Sequence, residues 1–171
     1  ESAIRDTHYL LSKNGFDWIA ALFFLVRRSA GRMGSLAAAL GDDEYAGARG
    51  RLNLLACLLV ASRLARFVRA HRLDHVHVGS CGRAAESAAL GSILGGFTYS
   101  LSMLGPTFST YGRQHRLKWR HAAFGLFQSQ MLVQEGRLRL GPDFPKRYAQ
   151  APVGVDTDRM DRAQPYQAWR P

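Results

Sequence analysis

Trp18 to Val26 reads WIAALFFLV, an unbroken apolar run closed by Arg27, Arg28 and Arg32. It is well short of the roughly twenty residues that cross a bilayer. The run therefore predicts a helix, either buried against a core or lying in a membrane interface with its arginines near lipid phosphates. A second, longer helix is predicted from about Arg49 to His71. Val60, Leu64, Phe67 and Val68 keep the i, i+4, i+7, i+8 spacing of a buried stripe. Arg63, Arg66 and Arg69 fall on the other side and read as a solvated basic face. Residues 1–72 thus form a helical segment.

From Leu73 the period changes. LDHVHVGS alternates, is β-branched and ends in small residues, as a strand entering a tight turn does. RAAESAALGSILGG is a helix stopped by Gly95 and Gly96. FTYSLSML is a second strand closed by Gly105 and Pro106, and RLKWRHA opens a short helix. AFGLF is a third strand, SQMLVQEGRLR a helix and YAQAPVGV a fourth strand. Strand and helix alternate at βαβ spacing, so the fold class is α/β, a Rossmann-like parallel sheet flanked by helices. Ligands of such sheets lie beyond the carboxyl ends of the strands. Here those ends are Gly79–Gly82, Leu104–Thr107, Gln128–Gln130 and Gly154–Asp156.

Composition changes this picture in one respect. With 171 residues, 47% hydrophobic and 21% charged, the chain is an ordinary globular domain, but its formal charge is +10. That balance favours an anionic partner: nucleic acid, an anionic membrane surface or a phosphorylated ligand. No basic patch interleaves with aromatics and no reader motif is present, which counts against nucleic acid. Cys57 and Cys81 form no CxxC pair, and the default is a reducing cytoplasm. Cys81, in HVHVGSCGR, reads as a small loop residue rather than a nucleophile.

Phosphate-loop and hydrolase motifs are missing: there is no GxGxxG, Walker A, GxSxG or HExxH. Gly91, Gly95 and Gly96 sit at a helix end, where glycine terminates helices. His75 and His77 point to one side of a strand but have no third ligand beside them, so no metal is expected. No signal-peptide pattern opens the chain, and Glu1 in place of Met hints at a processed or truncated start.

The order of the pieces is more specific than any one of them. HVHVGSCGRAAESAAL, YSLSMLGPTFSTYG, KWRHAAFGLFQSQML and APVGVDTDRM…PYQAW together resemble the N-terminal, acceptor-side domain of family 4 glycosyltransferases, above all bacterial enzymes of exopolysaccharide assembly. The resemblance covers about residues 50–171. It implies a GT-B enzyme, in which two Rossmann-like domains face a cleft and a sugar moves from a nucleotide-sugar to an acceptor, with retention and without metal. It implies a lipid-linked saccharide acceptor and a cytoplasmic enzyme, peripheral on the inner face of the membrane. Residues 73–160 would be the Rossmann-like part, and 161–171 the start of a linker to a C-terminal domain. A first strand is expected before Glu1, and the chain alone is expected to be inactive.

The resemblance also implies site residues. Gly105 and Pro106 match the family's His-Gly-Pro turn, while Leu104 occupies the histidine position. Gln128, Ser129 and Gln130 stand where a Thr/Ser-Glu turn is common. Tyr111, Gly112 and Lys118 match the next loop and helix, and Gly154, Val155 and Asp156 match the strand-end turn. Gly79 closes the first strand. Retaining transfer needs cationic stabilisation more than side-chain catalysts from this half, so Arg83 and Arg113 are candidates to face an acceptor phosphate. The alternative is a catalytically inactive Rossmann-like interaction module, which Leu104 favours.

Overall fold

A computed structural model describes residues 7, 10–11, 14–40, 48–152 and 154. Three helices come first: α1 (Gly15–Ser29), α2 (Met33–Leu40) and α3 (Ala48–Ala70). Asn14 caps α1 by accepting from the Phe16 amide. Asp17 in the first turn and Arg27 and Arg28 in the last complement the helix dipole. Then β1 (His75–Val78), α4 (Arg83–Gly95), β2 (Thr98–Met103), α5 (His115–Trp119), β3 (Phe124–Phe127), α6 (Gln130–Leu140) and β4 (Tyr148–Gln150) alternate. Short 3-10 turns occupy Phe108–Tyr111 and Gly141–Asp143. Gly96 ends α4 in the left-handed region at φ 83°, where glycine escapes the Cβ penalty.

The four strands pair in the order β1-β2-β3-β4, every neighbour parallel. The chain is therefore α/β with an all-parallel sheet flanked by helices. Because the order advances in one direction, right-handed crossovers put α4, α5 and α6 on the same face. Tyr99, Leu101, Met103 and Phe127 are buried beneath them, and Trp119 stacks on Phe127 at 5.1 Å. β4 is shorter than the predicted YAQAPVGV strand. The Ala151 amide still reaches Phe127 O at 2.8 Å, and Pro152 follows with no amide to donate.

The face these helices leave uncovered carries His75 and His77 beside Ser100, Ser102 and Phe124. The four imidazole nitrogens each meet a hydroxyl at 2.7–2.9 Å: Thr98 and Ser100 for His75, Ser100 and Ser102 for His77. Both rings lie nearly parallel to Phe124. The histidine pair is thus committed to strand-to-strand hydrogen bonding.

Two expectations about α3 are corrected. Its most buried stripe is Cys57, Ala61, Ala65 and Val68, whereas Val60, Leu64 and Phe67 are only half-buried. The small residues let α3 and α4 approach closely. A Cβ on Gly91 would stand 3.2 Å from Ala61 O, and one on Gly95 would stand 3.1 Å from Ala65 Cβ. Gly91, expected at a helix end, thus lies inside α4 and serves packing alone, whereas Gly95 packs at the last position before the Gly96 cap. Nor do Arg63 and Arg66 form a solvated face. Arg63 is 6% exposed, pairs with Asp17 at 3.3 Å and lies 4.6 Å over the Trp18 ring. Arg66 donates to Asp17 O. The arginines fasten α1 to α3, the guanidinium gaining both an ion pair and an aromatic face.

α1 turns Ala21 and Leu25 inward, with Phe24 partly buried against the core. Its other side exposes Phe16, Ile19, Leu22, Phe23 and Val26. Among the described residues no helix is long and apolar enough to cross a membrane.

Candidate functional site

The carboxyl edge of the sheet gathers most of the sequence-predicted residues. Gly79 directly follows β1 and is exposed. Leu104, Gly105 and Pro106 follow β2, with Leu104 43% exposed. Gln128 and Ser129 follow β3, and the Gln128 amide donates to Met103 O, tying the ends of β2 and β3 together. Gly154 is exposed beyond β4. Asp156 and Val155 lie outside the described residues.

Local packing accounts for two of these positions. A Cβ on Gly105 would meet the Tyr111 ring at 2.7 Å, so the glycine there makes room for Tyr111. Ser129 is the N-cap of α6, its hydroxyl accepting from the Leu132 amide at 3.3 Å. Both have a structural reason independent of any substrate.

Tyr111 also lines a cavity of about 470 Å³ beside that edge, between the N-terminal ends of α3 and α4 and the loop after the first 3-10 turn. Arg49, Gly50, Asn53 and Cys57 from α3, Arg83 and Glu86 from α4, and Gly112, Arg113 and Gln114 from the loop complete the wall. Arg83 and Arg113, predicted separately, thus share one cavity, joined there by Arg49. None of the three guanidiniums has an ion-pair or hydrogen-bond partner among the described residues. Gln128, Ser129 and Gly154 are not among its lining residues.

A charged pair lies at the cavity wall. Lys118 is fully buried, with Nζ 3.6 Å from Glu86 Oε1 and donating to Tyr111 O at 2.8 Å. The Cys57 thiol donates to Glu86 Oε2 at 3.4 Å. Glu86 is therefore occupied by Lys118 and Cys57 rather than by the arginines. Gly112 at φ 74° and Gln114 at φ 66° bend the loop so that Arg113 lines the cavity while the Gln114 residue is buried.

Neither thiol is built as a nucleophile. Burial, then the Glu86 carboxylate, pushes Cys57 up to about 11. Burial pushes Cys81, which donates to Ser102 O, up to about 12. A nucleophilic cysteine needs the opposite shift.

Compared with protein-family models, curated proteins and solved structures, the chain matches none. Arg49, Asn53 and Glu86 escaped the sequence reading. The i, i+4 spacing of 49 and 53 and the i, i+3 spacing of 83 and 86 put each pair on one helix face. Only the packing of α3 on α4 turns the two faces toward each other.

Proposed function

We propose that this chain is the acceptor-side part of a membrane-associated family 4 glycosyltransferase of the GT-B type, acting in exopolysaccharide assembly. The donor is a nucleotide-sugar and the acceptor a lipid-linked saccharide. One observation carries the reading. Arg83 and Arg113 line one cavity with Tyr111 at the carboxyl edge of an all-parallel sheet, where such sheets bind ligands. Sugar transfer from a nucleotide-sugar builds charge on a leaving diphosphate, and fixed cations near the reacting groups favour it.

The membrane part rests on α1. Its exposed Phe16, Ile19, Phe23 and Val26 form an apolar stripe at helical spacing. Arg27 is exposed at the end of that side, while Arg28, on the Phe24 side of α1, is held below its ordinary value by the nearby Arg69 charge, then by partial burial, Arg32 and Arg27. Like charges crowded this way suit a surface of lipid phosphates.

A catalytically inactive interaction module is the second reading, favoured by Leu104. Leucine cannot exchange a proton or hydrogen bond where the resembling enzymes carry histidine. The test is sugar transfer by the full-length gene product, given a panel of nucleotide-sugars and a lipid-linked acceptor. Leu104→His should raise turnover, since the exposed strand end accommodates an imidazole and a positioned proton-transfer group contributes on the order of 10²–10⁴-fold. Undetectable transfer by both forms, with folding intact, would favour the inactive module.

A further inference from the structure

Arg63 carries one more hydrogen-bond donor than α1 satisfies. Its Nη2 meets Asp17 at 3.3 Å, yet Nη1 is buried with no hydrogen-bond partner among the described residues. A guanidinium donor buried in this way loses its hydration without compensation. Arg63 lines a cavity of about 330 Å³ between α1 and the C-terminal half of α3. Arg66 and Arg69 line it too, the i, i+3 spacing keeping the arginines on one side of α3. His71 completes that side, its Nδ1 donating to Phe67 O at 2.9 Å.

We infer that this cavity binds the phosphoryl group of a phosphate ester, its oxygens accepting from Arg63 Nη1, Arg66 and Arg69. Charge is unbalanced there. Among the described lining residues the only acid is Asp17, 43% exposed and already engaged by Arg63. Arg66 reaches only the Asp17 main-chain oxygen. Arg69 has no ion pair among the described residues. Its charge is the first cause that holds neighbouring Arg28 below its ordinary value, so positive charge is in excess at this end of α3. A phosphoryl group offers three oxygens in a tetrahedral array, which several guanidiniums can share; a planar carboxylate offers two and fits one fork. Phe24, Phe67 and Ala70 leave apolar wall for the carbon skeleton of an ester. The site lies roughly 20 Å along α3 from Arg49 and shares no lining residue with the cavity at the carboxyl edge. It is therefore separate from the acceptor site and stands whether or not the chain transfers sugar.

Titration calorimetry on the full chain at constant ionic strength, with glycerol 3-phosphate and acetate as probes, tests the assignment. Glycerol 3-phosphate should bind about tenfold or more tighter than acetate. Arg69→Gln, at an exposed position, should weaken it by about tenfold while thermal melting stays unchanged. Asp17→Asn keeps an oxygen for Arg63 and removes the competing charge, so it should tighten binding about twofold to fivefold. A purely structural role for the Arg63–Asp17 pair gives no such gain. Glycerol 3-phosphate binding no tighter than acetate, or indifferent to both substitutions, overturns the site. Binding lost with Arg83→Gln and Arg113→Gln but indifferent to Arg69→Gln belongs to the carboxyl-edge cavity and overturns it equally. Phosphatidylcholine vesicles containing phosphatidic acid separate two sources of the same group. Displacement of the protein from them by glycerol 3-phosphate, abolished in Arg69→Gln, identifies a lipid headgroup. Glycerol 3-phosphate binding with no such competition identifies a free phosphate ester, and either result supports the phosphoryl site.

Discussion

Lys118 Nζ lies 3.6 Å from Glu86 Oε1, the lysine side chain fully buried and the glutamate side chain 12% exposed. The same ammonium holds Tyr111 O, so one buried cation links α4, α5 and the loop whose tyrosine covers Gly105. Removing one partner of a buried pair costs about 3–5 kcal/mol, because the other charge is left uncompensated. Lys118→Met should destabilise the chain by that order. Lys118→Met combined with Glu86→Gln should recover part of the loss. A denaturant double-mutant cycle measures the coupling, and strictly additive losses would show that the two side chains do not interact.

The thiols give a pH prediction. Cys57 and Cys81 stand at about 11 and about 12 in the folded chain, against an ordinary 9.0. Folding therefore favours the protonated form. The contribution is fully present below about pH 9 and is lost as pH rises through 11 to 12, where thiolates form in the core. Tyr99 is shifted up by burial in the same sense. Native protein at pH 8 should alkylate slowly with iodoacetamide and quickly in guanidinium chloride, and stability should fall steeply above about pH 10. Fast labelling of the native chain would contradict the burial.

Phe23 and Phe24 are sequence neighbours with opposite surroundings. Phe23 is 68% exposed, whereas Phe24 packs against the core and lies beneath the Arg28 guanidinium at 5.8 Å. Phe23→Asp should release the protein from vesicles rich in anionic lipid with its melting unchanged. Phe24→Asp should lower thermal stability, because a carboxylate would enter the helix contact. Vesicle cosedimentation and thermal melts separate the two effects. Undiminished vesicle binding by the Phe23 variant would remove α1 from any membrane contact.

The uncovered sheet face has a defined proton order. Thr98 Oγ1 donates to Asp74 O, so it accepts from His75 Nδ1 at 2.7 Å. His75 Nε2 must then accept from Ser100, which accepts from His77 Nδ1; His77 Nε2 accepts from Ser102. Wherever either ring is neutral, its proton should sit on Nδ1. Nitrogen-15 correlation spectra of the imidazoles read this directly. Thr98→Val should release His75 from the assignment, and Nε2-protonated rings in the wild type would refute the chain of bonds.

Much of the fold was legible because it is local. Strand alternation around His75–Val78, the glycine stop at Gly96 and the spacing of strands and helices are encoded within short windows. Short βαβ connections in turn leave few topologies open, so a parallel sheet followed from the sequence. The strand-end residues were legible for the same reason. What periodicity reports is which side of an element is apolar, not what packs against it. A stripe of alanines and one cysteine on α3 carries little hydropathy, so its burial waited on Gly91 and Gly95 of α4 meeting it. The arginines separate the two levels most clearly. Arg63 has the same chemistry as Arg83 and Arg113, yet Asp17 and Trp18 from another helix bury it, while Arg83 and Arg113 line a shared cavity with no ion-pair partner among the described residues. Charge and helical spacing belong to the sequence. Which charges are neutralised depends on contacts between residues far apart in the chain, and those only the tertiary structure decided.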